Sequence, residues 1–407
     1  MNKKKIINDP VYGFINIPSE LIFDLISHPY FQRLRYIKQL GMTHLVYPGA
    51  LHTRFHHALG AMHLMSLAIE VLKGKGHEIN KDEEEAATIA ILLHDIGHGP
   101  FSHALEHTLV NGIRHEDISM MIMEKLNQEF DGKLTQAMNI FKGSYHKNFL
   151  AQLVSSQLDL DRMDYLNRDS FFTGVSEGVI SSDRIIKMFN VLDDQLVIEE
   201  KGIYSIEKFL IARRLMYWQV YLHKTVVSGE QLLVKILNRA KELSANGAQL
   251  FATPALQHFL QHEVTEQAFF SCEGHLQQFV KLDDQDIFTA VKVWRDHPDR
   301  VLSLLCTMFA SRNLYKVEIG SERPEAARVR RILENTGDVL ELDEHERGYF
   351  VFTDVIRNRA YESGSGNINV LMKNNTIVDI ASASDLSNLA SLDKTVTKYI
   401  LCYPRII

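Results

Sequence analysis

From about Pro18 to about Leu260, apolar residues recur at three- and four-residue spacing in "LMSLAIEVL", "EEEAATIAILLHD", "ISMMIMEKL" and "VVSGEQLLVKILNRAKEL". That period places each apolar set on one face of a helix, so the pattern predicts a helical bundle. After Leu304 the period shortens, and "LYKVEIG", "GYFVFTDVI", "NINVLMKNNTIVDIA" and "KYILCYP" read as strands. Asn374-Asn375 is expected to form a tight hairpin turn, because Asn tolerates positive φ. The expected fold is mainly α, with a helical domain over residues 1–270 and a smaller C-terminal α+β region over 271–407. "ESGSGN" at 362–367 reads as a loop, and no internal repeat is evident.

Composition narrows the function classes. With 407 residues, 45% hydrophobic and 23% charged, the chain can bury a site within one large core or two or three domains. A formal net charge of −7 argues against coating nucleic acid or an anionic membrane, and leaves small anionic ligands open. Cys272, Cys306 and Cys402 lie far apart without CxxC spacing, so neither a disulfide framework nor a thiolate zinc site is expected. "MNKKKIINDPVYGF" has a basic cluster but no apolar stretch of signal-peptide length behind it, and no uncharged apolar run of about 18 residues occurs. A cytoplasmic protein without a membrane partner is the expectation.

The chemistry gathers at "ILLHDIGHGPFSH", residues 91–103. "EEEAATIAILLHD" has acidic residues in its first turn, where they complement the helix dipole, and Gly97, Gly99 and Pro100 break it. His94 and Asp95 therefore fall in its last turns. An imidazole and a carboxylate side by side hold a metal only if other elements complete the shell. Upstream, "LHTRFHHALGAMH" offers His52, His56, His57 and His63; downstream, "QLDLDRMDYLNRD" offers Asp159, Asp161, Asp164 and Asp169. A helix-end pair can equally be a cap, four histidines a solvated face, and the aspartates plain i,i+3 and i,i+4 partners of Arg162 and Arg168 on an exposed helix. Against that, Asp161, Tyr165 and Asp169 repeat every four residues, which puts two carboxylates and a phenol on one stripe.

"HALG", "HDIGHGPFSH" and "DLDRMDYLNRD" resemble the HD-domain phosphohydrolases, metal enzymes whose ligands run His, His-Asp, then a distant Asp. With "NDPVYGFI", "FQRLRYIKQLG" and "VYPGALHTRFHHALG" in the same order, the chain resembles the deoxynucleoside triphosphate triphosphohydrolases more closely, over roughly residues 5–225. The fold implied is an HD-domain helical bundle. The metal ligands implied are His57, His94, Asp95 and Asp161, and the catalytic group is His98 and His115 with Glu106, where relatives often carry Asp. Gln39, Leu40, Arg54, His103, Arg162, Tyr165, Asp169, Arg213 and Tyr221 match substrate contacts. Arg162 stands where the animal enzymes have Lys, and Leu222 where they have Gln near the base.

The resemblance implies hydrolysis of dNTPs to deoxynucleoside and inorganic triphosphate. Mixed His and carboxylate ligands suit iron, manganese, zinc or nickel, with magnesium on the substrate phosphates. Lys5, Asn8, Gln32 and Arg35 match an activator-nucleotide site between subunits, which implies a homo-oligomer such as a tetramer; Ser27 stands where the animal enzyme reads guanine with an aspartate. Two other readings remain: an HD-domain phosphodiesterase or nucleotidase acting on another phosphate ester, and a nucleotide-sensing or nucleic-acid-binding protein with a vestigial site.

Overall fold

The three- and four-residue spacing becomes helix, in several places behind a side-chain cap. The computed structural model describes residues 5–101, 108, 110, 112–359, 361, 362, 364, 366–385 and 394–405. Its helices of eight residues or more are α1 (Glu20–Ser27), α2 (Arg54–Gly74), α3 (Lys81–Leu93), α4 (His115–Glu129), α5 (Leu160–Thr173), α6 (Ile203–Met216), α7 (Lys224–Ala245), α8 (Pro254–Gln261), α9 (Asp284–Trp294), α10 (Arg300–Ala310) and α11 (Ala326–Leu340). Asn80 starts α3 with a capping box: its side chain accepts from the Glu83 N–H at 2.9 Å, and Glu83 accepts from the Asn80 N–H at 2.9 Å. Asp159 caps α5 by accepting from the Arg162 N–H at 2.7 Å.

α2 is the axis of the bundle, lying against α3 on one side and α5 on another. Its length and hydropathy would let it cross a membrane, yet 67% of that apolar window is buried inside the protein, which is how a core helix reads. Among the described residues no other helix meets that length and composition.

The β-type runs form β5 (Lys316–Gly320), β6 (Phe352–Asn358), β7 (Asn369–Leu371), β8 (Ile377–Asp379) and β9 (Val396–Tyr403), except that the first three residues of "GYFVFTDVI" end a short helix, Glu344–Phe350. β7 and β8 pair antiparallel around a turn that holds Asn375 at φ 61°, and β5-β9-β6 make an antiparallel sheet. Two hairpins lie where only helix, or nothing, was expected. β1 (Ile6–Asp9) pairs with β2 (Gly13–Asn16), and β3 (Phe189–Leu192) with β4 (Gln195–Glu199). The β3–β4 loop is Asp193-Asp194 at φ 49° and 61°, a two-residue turn built from aspartates, which resembles a charged helix surface more than the Asn-Gly signal. β4 pairs in parallel with β7, so the sheet β3-β4-β7-β8 draws strands from both sides of residue 270. The buried apolar cluster is continuous from Ile15 in β2 to Tyr403 in β9. All three cysteines are free, and burial pushes the Cys306 and Cys402 thiols up to about 12.

Candidate metal centre and active site

Three helix ends meet at one point. His57 lies in the first turn of α2, His94 caps the C-terminus of α3 with Asp95 just beyond, and Asp161 lies in the first turn of α5. Asp161 Oδ1 is 3.0 Å from His57 Nε2 and 3.4 Å from His94 Nε2; Asp95 Oδ1 is 3.4 Å from His94 Nε2, and its Oδ2 is 3.7 Å from His57 Nε2. Neither Nε2 makes a hydrogen bond, although both are buried, because the carboxylates are close without being aligned. The other nitrogens are committed: Nδ1 of His57 donates to Asp164 Oδ2 at 2.7 Å and Nδ1 of His94 to Ile91 O at 2.6 Å. In the neutral ring this leaves the Nε2 lone pair toward the carboxylates, as in histidines that ligate metals. One ligand atom each from His57, His94 and Asp161 lies within 4.8 Å of the others, so these three residues fit a divalent cation with two nitrogen donors and one oxygen donor, while Asp95 brings its ligand atom to a neighbouring group with His98 and His115.

The electrostatics are those of a site arranged around a charge. Burial opposes charging His57, but Asp161 and Asp164 overcome it and push the imidazole up to about 10. His94 is raised in the same way, against its own burial, by Asp95 and Asp161. Burial works against ionising Asp161 and Asp95, yet the neighbouring histidines hold both below the usual carboxylate range, with Arg54 adding to the effect on Asp95.

α2 and α5 approach this closely because residue 60 is glycine. A Cβ there would stand 1.9 Å from Asp164 Oδ1 and 2.2 Å from Arg168 Nη2. Gly60→Ala is therefore expected to destabilise the fold by about 3 kcal/mol or more and to displace Asp164, because the buried ion pair has nowhere to move. Chemical denaturation checks this; an unchanged midpoint would contradict it.

A second glycine sets the next group. A Cβ on Gly97 would lie 2.2 Å from His115 O and 2.3 Å from Ser119 N, so its absence lets α4 reach the His94-Asp95 turn. Ser119 Oγ accepts from the Gly97 N–H at 2.9 Å and donates to His94 O at 2.7 Å, tying that turn to α4. The result is a stacked pair: the rings of His98 and His115 are 3.8 Å apart, with His98 Nε2 3.3 Å from Asp95 Oδ1. Burial, and then the Arg54 charge, hold His98 well below the usual histidine range. The Arg33 guanidinium, buried in turn, grips the carbonyls of Ile96 and His98, each at 2.9 Å. Nothing in "FQRLRYIKQLG" distinguishes Arg33 from its neighbour Arg35. Glu106 and His103 lie outside the described residues.

Arg54 is buried and paired with Asp95 Oδ2. Its N–H donates to Ile37 O at 3.0 Å, and the Gln39 N–H to His52 O at 3.0 Å, which lays the Gln39-Leu40 segment along the start of α2. Gln39 Oε1 is buried without a partner, and Leu40 is half-buried against the core. Asp169 is claimed on both oxygens, by His52 Nε2 at 2.7 Å and by the Tyr221 hydroxyl at 2.7 Å, and the Tyr165 and Tyr221 rings lie 6.4 Å apart. Tyr221 belongs to a π-helical turn, Tyr217–Tyr221, that follows α6 directly; α6 carries Arg213, whose charge acts on Tyr165. Arg162 points elsewhere, to Asp159 at 3.4 Å and Ser156 O at 2.5 Å.

The alternative roles are also present, on different residues. Asp159 and Asp164 are the i,i+3 and i,i+4 partners of Arg162 and Arg168, but α5 is not an exposed helix, since Asp164 and Arg168 are buried. Nor are the upstream histidines a solvated face. His52 is buried against Asp169, His56 Nδ1 accepts from the Thr53 N–H at 3.2 Å, and His63 packs on Tyr12. Lys5, Asn8, Gln32 and Arg35 are far less buried: Lys5 lies over the Phe23 ring, Arg35 over the Phe55 ring, and Arg35 Nε donates to Gln32 Oε1 at 2.8 Å.

The chain matches the HD domain over residues 54–169 and the HD associated region over residues 180–268. An uncharacterized Bacillus subtilis protein, YwfO, is 38% identical, with the match covering 78% of this chain and 72% of that one. The deoxynucleoside triphosphate triphosphohydrolase SAMHD1 homolog of Dictyostelium discoideum is 33% identical over 60% of this chain, and human SAMHD1 31% over 54%. This chain spans only 51% and 42% of those two proteins. Among solved structures, a phosphohydrolase from Bacteroides thetaiotaomicron superposes with a TM-score of 0.96 at 54% identity, over 99% of this chain and 100% of that one. A hypothetical protein from Aquifex aeolicus superposes at 0.74 and 28% identity, over 99% and 97%. The HD-domain match spans the first turns of α2 and α5 and the end of α3, and the chain belongs to the HD-domain phosphohydrolase family.

Proposed function

We propose that the chain hydrolyses dNTPs to deoxynucleoside and inorganic triphosphate at the centre formed by His57, His94, Asp95 and Asp161. The observation that carries this reading is the pair of buried, unbonded Nε2 atoms facing two carboxylates, with Arg54 at their side. The triphosphohydrolases among the relatives support the choice of substrate. A bound divalent cation would supply Lewis acidity toward a phosphate oxygen and a water of lowered pKa.

The chain's own residues do the rest. Arg54, rigid and always charged, neutralises charge gathering on the α-phosphate. Water attacks the α-phosphorus, the bond to the 5′-oxygen breaks, and the His98–His115 pair delivers the proton which that oxygen needs. Gln39 and Leu40 close over the sugar's 2′ position, with Tyr221 on the opposite side and Asp169 orienting Tyr221. Lys5, Asn8, Gln32 and Arg35 bind an activating nucleotide between subunits of a homo-oligomer.

The test is product separation after incubation with manganese and, in turn, each dNTP, GTP and ATP. A ribonucleotide must bury its 2′-hydroxyl without a partner, at roughly 1–3 kcal/mol, so a ten- to hundredfold preference for dNTPs is expected. Leu40→Ala should shrink that preference. An unaltered dGTP-to-GTP ratio in a destabilised Leu40→Ala protein would mean that Leu40 is only a core residue.

One observation favours a second reading. Asp95, His98 and His115 also bring ligand atoms within 4.8 Å of one another, so a second cation sharing Asp95 would make a two-metal phosphoesterase. One metal per chain supports the triphosphohydrolase; two support the other enzyme.

A further inference from the structure

The N-terminal hairpin reaches the metal centre through an unbroken row of buried charges. His57 Nδ1 donates to Asp164 Oδ2 at 2.7 Å; Arg168 grips Asp164 through Nε at 2.9 Å and Nη2 at 3.0 Å; Arg168 then holds Asp9 through Nη1 at 2.8 Å and Nη2 at 3.4 Å. His57, Asp164 and Arg168 are completely buried, and Asp9 is 4% exposed. Asp9 ends β1, and its Oδ1 also accepts from the N–H groups of Val11 and Tyr12 at 2.9 and 3.0 Å, so the same carboxylate shapes the hairpin turn.

We propose that Asp9 and Arg168 are positioning residues of the metal centre, which makes the β1–β2 hairpin a working part of it. The inference rests on reading His57 as a metal ligand. Asp164 Oδ2 accepts from His57 and from Arg168 Nε at once, so the direction in which it presents itself to the imidazole is set by the guanidinium. The guanidinium is held between two carboxylates by its planar fork, which an ammonium cannot reproduce. Loosening Asp9 lets Arg168 turn, Asp164 follows, and the His57 Nε2 lone pair swings away from Asp161. Outer partners of ligating histidines typically change metal affinity by about 10- to 100-fold. What is unusual here is that the outermost partner comes from a hairpin that sequence separation gives no reason to place near the metal.

The test titrates Co2+ into the metal-stripped full chain, following visible absorption, and records the melting temperature without metal. Asp9→Asn preserves size while removing charge, and Arg168→Lys keeps a buried positive charge beside both carboxylates, so it serves where the neutral variant does not fold. Arg239→Met is the control. It removes a part-buried guanidinium held by Asp299 at 2.6 Å, outside the row of charges leading to His57. Asp9→Asn and Arg168→Lys are expected to weaken Co2+ binding about tenfold. Arg239→Met should lower the melting temperature and leave the affinity alone. Affinity within twofold of the parent in either folded variant, while His57→Ala loses Co2+, overturns the proposal and spares the metal centre. Parental affinity in His57→Ala overturns both.

Discussion

His57→Ala is expected to yield a folded chain that retains no metal at the site and turns substrate over at least about a thousandfold more slowly. The fold should survive because Asp164, the partner of His57, remains gripped by Arg168 through two hydrogen bonds and is not left as a bare buried charge. The cavity costs roughly 2–4 kcal/mol, which a domain of this size can absorb. Activity has no such reserve: metal stabilisation of developing charge is worth several kcal/mol, and about 4 kcal/mol is a thousandfold in rate. Asp161→Ala should behave alike at smaller cost to stability, since its side chain is 29% exposed. Metal analysis of the purified variants decides; undiminished metal in either removes that residue from the ligand set.

His115→Ala is expected to lower kcat by about 10²- to 10⁴-fold while metal content and KM stay near those of the parent. His115 stacks on His98 but is not part of the cluster around Asp161, and its side chain is 20% exposed. A fall in kcat with the metal in place is the mark of a proton donor. A parallel fall in metal stoichiometry would instead assign His115 and His98 to a second cation.

The helical bundle, the later strands and the His94-Asp95 pair are legible because each is a local pattern: a period, a turn residue, a dipeptide at a helix end. Which upstream histidine joins that pair is not local. His52 and His57 are both buried and share a helix start; only the three-dimensional partners separate them, Asp169 for one and Asp161 for the other. Resemblance to a family selects His57 where spacing does not. The Asp164–Arg168 spacing is visible in the sequence, but its burial is not, because an i,i+4 ion pair reads the same on a wet face and in a core. Asp9 is 159 residues from Arg168, and no helical or strand period encodes that contact. Arg33 is illegible for a related reason, since its partners are backbone carbonyls, which every residue has.

The central claim is that this metal centre directs water to the α-phosphorus of a dNTP. Hydrolysis of dGTP in H2(18)O with manganese, followed by mass spectrometry of both products, tests it most directly. The account predicts one heavy oxygen in inorganic triphosphate, none in deoxyguanosine, and no reaction after metal is stripped. Heavy oxygen in the deoxynucleoside, release of orthophosphate instead of triphosphate, or equal turnover by the metal-stripped chain would contradict it.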